Sequence, residues 1–123
     1  LFVSFFYELD NLFVSLVQIT RINCLLVKKL LSLYYKKKII FKKPNDLLIN
    51  KKKICGILQE SINKLDKKYL VVGIGINLIK NPKIRNYPAT NLYDVTNKKI
   101  SKKEIEKQIK KIFEFKLTKL NKK

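Results

Sequence analysis

Histidine is absent from all 123 residues, and cysteine occurs only as Cys24 and Cys55, in no C-x-x-C pair. Without histidine, Ser-His-Asp and Cys-His catalysis are excluded and the usual zinc sites are disfavoured. Two isolated cysteines read as small buried hydrophobes in a reducing cytosol. Arginine is scarce too. Arg21 and Arg85 are the only two among 28 basic residues, which stand against 9 acids for a net charge of +19. Such a charge first suggests a polyanion, either nucleic acid or a membrane surface. Yet arginine is the residue favoured for bidentate phosphate and base contacts. Its scarcity in a Lys-, Ile- and Asn-heavy chain favours a solvated lysine surface. No apolar run reaches the roughly 20 residues of a spanning helix, because Glu8, Asp10 and Asn11 interrupt "LFVSFFYELDNLFVSLV". That stretch also lacks the basic leader and small-residue cleavage site of a signal peptide. A cytoplasmic protein with no membrane partner is expected. There is no internal repeat or low-complexity linker, and the length suits one domain at most.

What is present reads as alternating short elements. Residues 1–9 are aromatic-rich and β-prone. They read as the middle of a strand and begin without Met, so upstream sequence is expected to be missing. Thr20 to about Lys37 is predicted helical, with Ile22, Leu26, Leu30 and Leu33 at helical spacing. "KIIFK" is a short strand, broken by Pro44-Asn45-Asp46. "LLIN" and "KICGILQES" read as two strands joined by a tight turn near Asn50-Lys51. "INKLDKK" is a second polar turn, and "YLVVGIGIN" is a β-branched strand carrying two glycines. Residues 78–100 read as loop. Ser101 to about Leu120 is a helix, opened by a Ser101/Glu104 capping box and striped by Ile105, Ile109, Ile112 and Phe113. The order β-α-β-β-β-β-α predicts an α+β domain with helices packed on a mainly antiparallel, mixed sheet.

Few positions carry chemistry by pattern alone. "VGIGIN" is not a dinucleotide fingerprint, because Leu78 stands where the third glycine belongs. Glycine inside a strand costs roughly 0.5–1 kcal/mol relative to alanine. Gly56, Gly73 and Gly75 therefore mark a bulge or a surface that something approaches closely. Asn77 offers both an acceptor and donors, as adenine recognition requires, or it ends its strand in an Asx turn. Asp46 orients a metal or a lysine, or closes a turn. Lys53 is one of three turn lysines and reads as solvent-exposed.

Together these residues resemble biotin protein ligase. The chain carries Lys42-x-Pro44-Asn45-Asp46-Leu47, then Lys53-Ile54-x-Gly56-Ile57-Leu58, then Gly73-x-Gly75-Ile76-Asn77. That family has K-W-P-N-D-L, a second lysine before a small-Gly-Ile-Leu strand, and G-x-G-I-N, in the same order and spacing. "YPATNL" is similar to the family's Ala-Thr-Ser-Leu stretch, and "LFVSFFYEL" to the strand after its biotin loop. The resemblance covers nearly the whole chain and is most specific over residues 42–61 and 72–77.

The resemblance implies a class II synthetase-like catalytic fold, here partial over residues 1–123. It implies activation of biotin by ATP to biotinyl-5'-AMP, then transfer to a lysine of the biotin carboxyl carrier protein of acetyl-CoA carboxylase. By resemblance Lys53 contacts biotin and the adenylate, and Lys42 neutralises phosphate; these two are the catalytic candidates. Gly56, Leu58 and Ile74 join Lys53 on the biotin side. Asn45, Asp46 and Asn77 serve the nucleotide, Asp46 being also the candidate for Mg2+. A homodimer fits the resemblance, and DNA binding does not. Lys43 departs from the family's Trp. The family's G-R-G-R-x-G loop occurs nowhere in residues 1–123, and no C-terminal small β-domain is evident. A lid protects a reactive anhydride from water, so this chain alone is expected to bind biotin poorly and to ligate inefficiently. The alternatives are a lipoate-type ligase fragment and a basic nucleic-acid- or membrane-binding remnant without catalysis.

Overall fold

A computed structural model describes residues 1–9, 15–42 and 45–120. In chain order the elements are β1 (Phe2–Glu8), α1 (Leu16–Leu31), β2 (Ile40–Lys42), β3 (Asp46–Ile49), β4 (Lys52–Lys64), β5 (Lys67–Ile76), α2 (Leu92–Thr96) and α3 (Lys102–Leu120). The strands form one sheet in the order β1-β5-β4-β3-β2. Every strand pairing is antiparallel. The parallel component of the expected mixed sheet shrinks to a single bridge, Lys53 with Ala89, outside the named strands.

Alternation along β5 sorts the two faces of the sheet. Leu70, Val72, Ile74 and Ile76 are all buried on one face, as the period of two in a strand requires. Facing them are Ile19, Val27, Leu30 and Leu31 of α1 and Ile105, Ile109 and Phe113 of α3, all in one apolar cluster. Phe5 of β1 stacks on Phe113 with ring centroids 4.6 Å apart. A buried polar link joins helix to sheet. Asn23 Nδ2 donates to Gln59 Oε1 at 2.9 Å, and Gln59 Nε2 donates to Thr20 Oγ1 at 2.7 Å. Both helices thus cover one face and leave the other available for a ligand.

Several boundaries differ from the sequence expectation. Helix α1 starts four residues before Thr20, because Ser15 caps it. Ser15 Oγ accepts from the Gln18 N–H, and the Gln18 side chain accepts from the Ser15 N–H. This capping box uses glutamine where the Ser101 box uses glutamate. The helix ends at Leu31, well before Lys37, and the turn that follows buries Tyr35 under the core. Strand β4 runs on through Asn63 and Lys64, so "INKLDKK" contributes only a two-residue turn, Leu65-Asp66. Both turn residues have positive φ, 51° and 62°, as do Asn50 and Lys51 in the β3–β4 turn, 52° and 64°. Paired positive φ is the twist that two-residue hairpins prefer. The expected loop 78–100 contains helix α2, capped by Asn91, whose Oδ1 accepts from the Asp94 N–H, and ended by Asn97 in the left-handed region. At α3, Ser101 Oγ accepts from the Glu104 N–H at 3.3 Å, while Glu104 Oε1 accepts from Gln108.

Candidate active site

One register row crosses the whole sheet on its helix-free face. Lys42 of β2 pairs with Asp46 of β3, Asp46 with Gly56 of β4, Gly56 with Gly75 of β5, and Gly75 with Phe2 of β1. In the next row Leu58 pairs with Gly73, and Gly73 with Ser4. All three glycines of the chain therefore lie on this face. None has a positive φ, while the turns that need one use Asn, Lys, Leu and Asp. Conformation does not require these glycines, so the space above them does. Gly56 and Gly75 floor a cleft of about 730 Å³ whose rim includes Phe2, Leu58, Lys53, Asp46, Tyr87 and Ile84, while the Phe2 ring covers Gly73. That volume lies within the range of small-molecule sites.

The lysine–aspartate pair stands at one end of this floor. Lys53 Nζ lies 3.1 Å from Asp46 Oδ1, and both side chains keep partial access to solvent, 47% and 26%. A bulge makes this meeting possible. Leu47 pairs with Cys55 but Leu48 with Lys53, so Ile54 is an extra residue in β4. In a regular, unbulged strand Lys53 and Gly56, three apart, would point to opposite faces. The bulge buries both Ile54 and Cys55 and turns Lys53 onto the cleft side. Lys53's backbone is then clamped by the segment after β5. Its N–H donates to Pro88 O at 2.9 Å, and its carbonyl accepts from the Thr90 N–H at 2.8 Å. Beneath the floor the Cys55 thiol is 1% exposed, and burial pushes its pKa up to about 12. It is a packed hydrophobe, as the sequence implied for both cysteines.

The sequence-selected residues separate clearly. Lys53, Asp46, Asn45, Gly56, Leu58 and Asn77 all border the cleft. Ile74 does not: its side chain is 0% exposed in the core on the opposite face, because residue 74 alternates with Gly73 and Gly75. Lys42 shares the face of Asp46 across the β2–β3 pair but is exposed outside the cleft wall. Asn77 borders the cleft, yet its amide donates to backbone, to Thr90 O at 3.0 Å and Lys53 O at 3.5 Å. Lys43, at the family's Trp position, and Pro44 lie outside the described residues. Sequence reading missed Phe2, whose ring lies over Gly73 and Gly75, and the Ile84–Tyr87 turn. The odd spacing of Lys53 and Gly56 was the one available signal of the bulge.

Among the described residues Asp46 is the only acid on the cleft wall, and Lys53 already holds it. Among the described residues no group of three or more His, Cys, Asp or Glu could hold a metal ion.

The five-stranded antiparallel sheet with helices on one face matches the catalytic fold of biotin and lipoate ligases. The chain belongs to the biotin/lipoate A/B protein ligase family, whose model matches residues 1–77. Among solved structures it is similar to the biotin protein ligase of Aquifex aeolicus in complex with biotin and ATP. The identity is 31% and the TM-score 0.77, covering 96% of this chain and 50% of that one. It is also similar in fold to the Leishmania major biotin protein ligase in complex with biotinyl-5-AMP, at 20% identity and TM-score 0.76, covering 98% of this chain and 56% of that one. A P. falciparum protein in complex with lipoate shares the fold at 17% identity and TM-score 0.63, covering 96% of this chain and 34% of that one. The chain spans about half the length of the A. aeolicus ligase. Among the described residues no helix is long and apolar enough to cross a membrane.

Proposed function

We propose that this protein forms the glycine-floored part of a biotin ligase catalytic domain. It would activate biotin with ATP and pass the biotinyl group to a lysine of a biotin carboxyl carrier protein. The carrying observation is the Lys53 ammonium lying over Gly56, beside the open space above Gly75. The floor suits a flat, largely apolar ring system, and the ammonium suits the carboxylate at the end of its chain. In the first step a biotin carboxylate oxygen attacks the α-phosphorus of ATP, and the bond to the bridging oxygen breaks, releasing pyrophosphate. In the second, the carrier lysine's neutral amine attacks the acyl carbon. AMP leaves as the carbonyl is restored, and the amine gives up its proton.

Lys53 would offset negative charge on the carboxylate and then on the adenylate. Loss of one such preorganised donor typically costs about 2.7–4 kcal/mol in the transition state. Lys42, one strand beyond Asp46, supports the phosphate end as a mobile cation. Magnesium would arrive with the nucleotide as MgATP, since such ions are commonly bound through substrate phosphates. Tyr87 and Ile84 offer an apolar wall to the nucleotide side. The K-x-P-N-D and G-I-G-I-N pair favours biotin over lipoate.

The test is competition. The protein is incubated with MgATP, a carrier domain and equal biotin and lipoate, and the acceptor mass is measured. A biotin-sized mass shift supports the reading and overturns the expectation that this chain alone ligates inefficiently. A lipoyl shift alone replaces it with the lipoate reading, and no shift, with salt-sensitive polyanion binding in its place, supports the basic-module alternative.

A further inference from the structure

The three glycines look alike in sequence, but they keep different things apart. A Cβ at Gly75 would meet only Phe2 Cδ2, at an ordinary 3.7 Å. Nothing in the protein needs that space. A Cβ at Gly56 would stand 3.1 Å from both Cε and Nζ of Lys53, with Asp46 Oδ1 next at 3.8 Å. The space above Gly56 is already taken, by the end of the lysine that the bulge turns onto this face. Its φ is not positive, so strain does not explain the glycine. The Lys53 main chain is clamped on both sides by Pro88 and Thr90. A methyl group at Gly56 would therefore displace the ammonium rather than the strand.

We propose that Gly56 is a positioning residue for Lys53. It is kept bare so that the ammonium can lie across β4 against Asp46, and it sets recognition of the ligand's acid group through that ammonium. Gly75 is kept bare for the ligand itself. The assignment to an acid-bearing ligand rests on the biotin reading above; the positioning of Lys53 does not.

The test is a double-mutant cycle with an acid and its neutral counterpart. Gly56→Ala and Gly75→Ala are made in the wild-type background and in Lys53→Ala. Binding of biotin and of uncharged biotinamide is measured by calorimetry, and folding is checked by amide spectra. The expected result is that Gly56→Ala weakens biotin binding roughly tenfold or more, the scale of a charge-assisted hydrogen bond. Biotinamide binding stays close to the wild-type value, and the Gly56→Ala effect vanishes in Lys53→Ala, where the added methyl meets nothing nearer than Asp46. Gly75→Ala weakens both ligands in both backgrounds. Equal losses of acid and amide in Gly56→Ala, or an undiminished loss without Lys53, overturn the proposal. If biotin binds to no variant and not to the wild type, the substrate reading fails. The side-chain nitrogen resonance of Lys53 then decides the rest: Gly56→Ala must shift it and Gly75→Ala must not. An unshifted resonance in Gly56→Ala ends the positioning role.

Discussion

Replacing Asn77 separates two roles that its position alone confuses. A residue that reads the nucleotide would cost little stability and much ATP affinity when truncated. The structure argues otherwise, because the Asn77 amide is already spent holding Thr90 O at 3.0 Å and Lys53 O at 3.5 Å. Thr90 is 6% exposed, so Asn77→Ala leaves a buried carbonyl without that donor. Such a loss costs about 1–3 kcal/mol. At this chain length 1 kcal/mol corresponds to about 4 °C in Tm, so a drop of about 4–12 °C is expected. Asn77→Asp should be worse, since it turns a second acceptor on two carbonyl oxygens. Amide exchange at Lys53 and Thr90 should quicken, because their mutual clamp is what Asn77 braces, and biotin and ATP affinity should fall together as the cleft wall loosens. An unchanged Tm with ATP binding lost and biotin binding intact would refute this reasoning and return Asn77 to direct nucleotide recognition.

Asp46→Asn should change stability by less than about 1 kcal/mol, because the pair it breaks is partly solvated, while freeing Lys53 and lowering turnover; chemical denaturation and single-turnover adenylation check the two halves. Alkaline stability should carry a Cys55 signature. The folded thiol's pKa is raised to about 12 from 9.0, so its contribution is full below pH 9 and is lost as pH rises toward 12, at up to about 1.4 kcal/mol per pH unit. Denaturant titrations across that window should show the slope, and Cys55→Ala should remove its share. Phe113→Ala should cost about 3–5 kcal/mol, since the ring is 0% exposed and stacks on Phe5; urea titration measures it.

The periodic elements were legible in the sequence because each rests on local signals. The apolar alternation in "YLVVGIGIN" and the Ile105/Ile109/Phe113 stripe each require one face to be buried, and each is. The Ser15 cap was missed although it repeats the logic of the Ser101 cap, because Gln18 carries no charge to announce a helix start. Helix α2, with five residues, has no period to read; the Asn91–Asp94 bond that starts it is a tertiary product of a loop fixed elsewhere. Ile74 was misplaced for a different reason. A family motif names consecutive positions without faces, whereas a strand assigns neighbours to opposite sides.

The bulge at Ile54 shows where motif and physics had to be combined. Lys53 and Gly56 belong to one motif, and strict alternation forbids them to share a face. One of three things had to be false: that the segment is a strand, that both residues serve the cleft, or that the strand is regular. The segment pairs on both sides as β4, and the lysine's tip lies over the glycine. Regularity is what yields. The extra residue, Ile54, adds its side chain to the core, which offsets the disrupted ladder and lets the site keep its geometry. Deleting Ile54 would restore the ladder and leave Lys53 two residues from Gly56 on the same face, at the cost of the buried Ile54 side chain. A short, well-packed segment can thus hold a functional irregularity that only the spacing of its residues discloses.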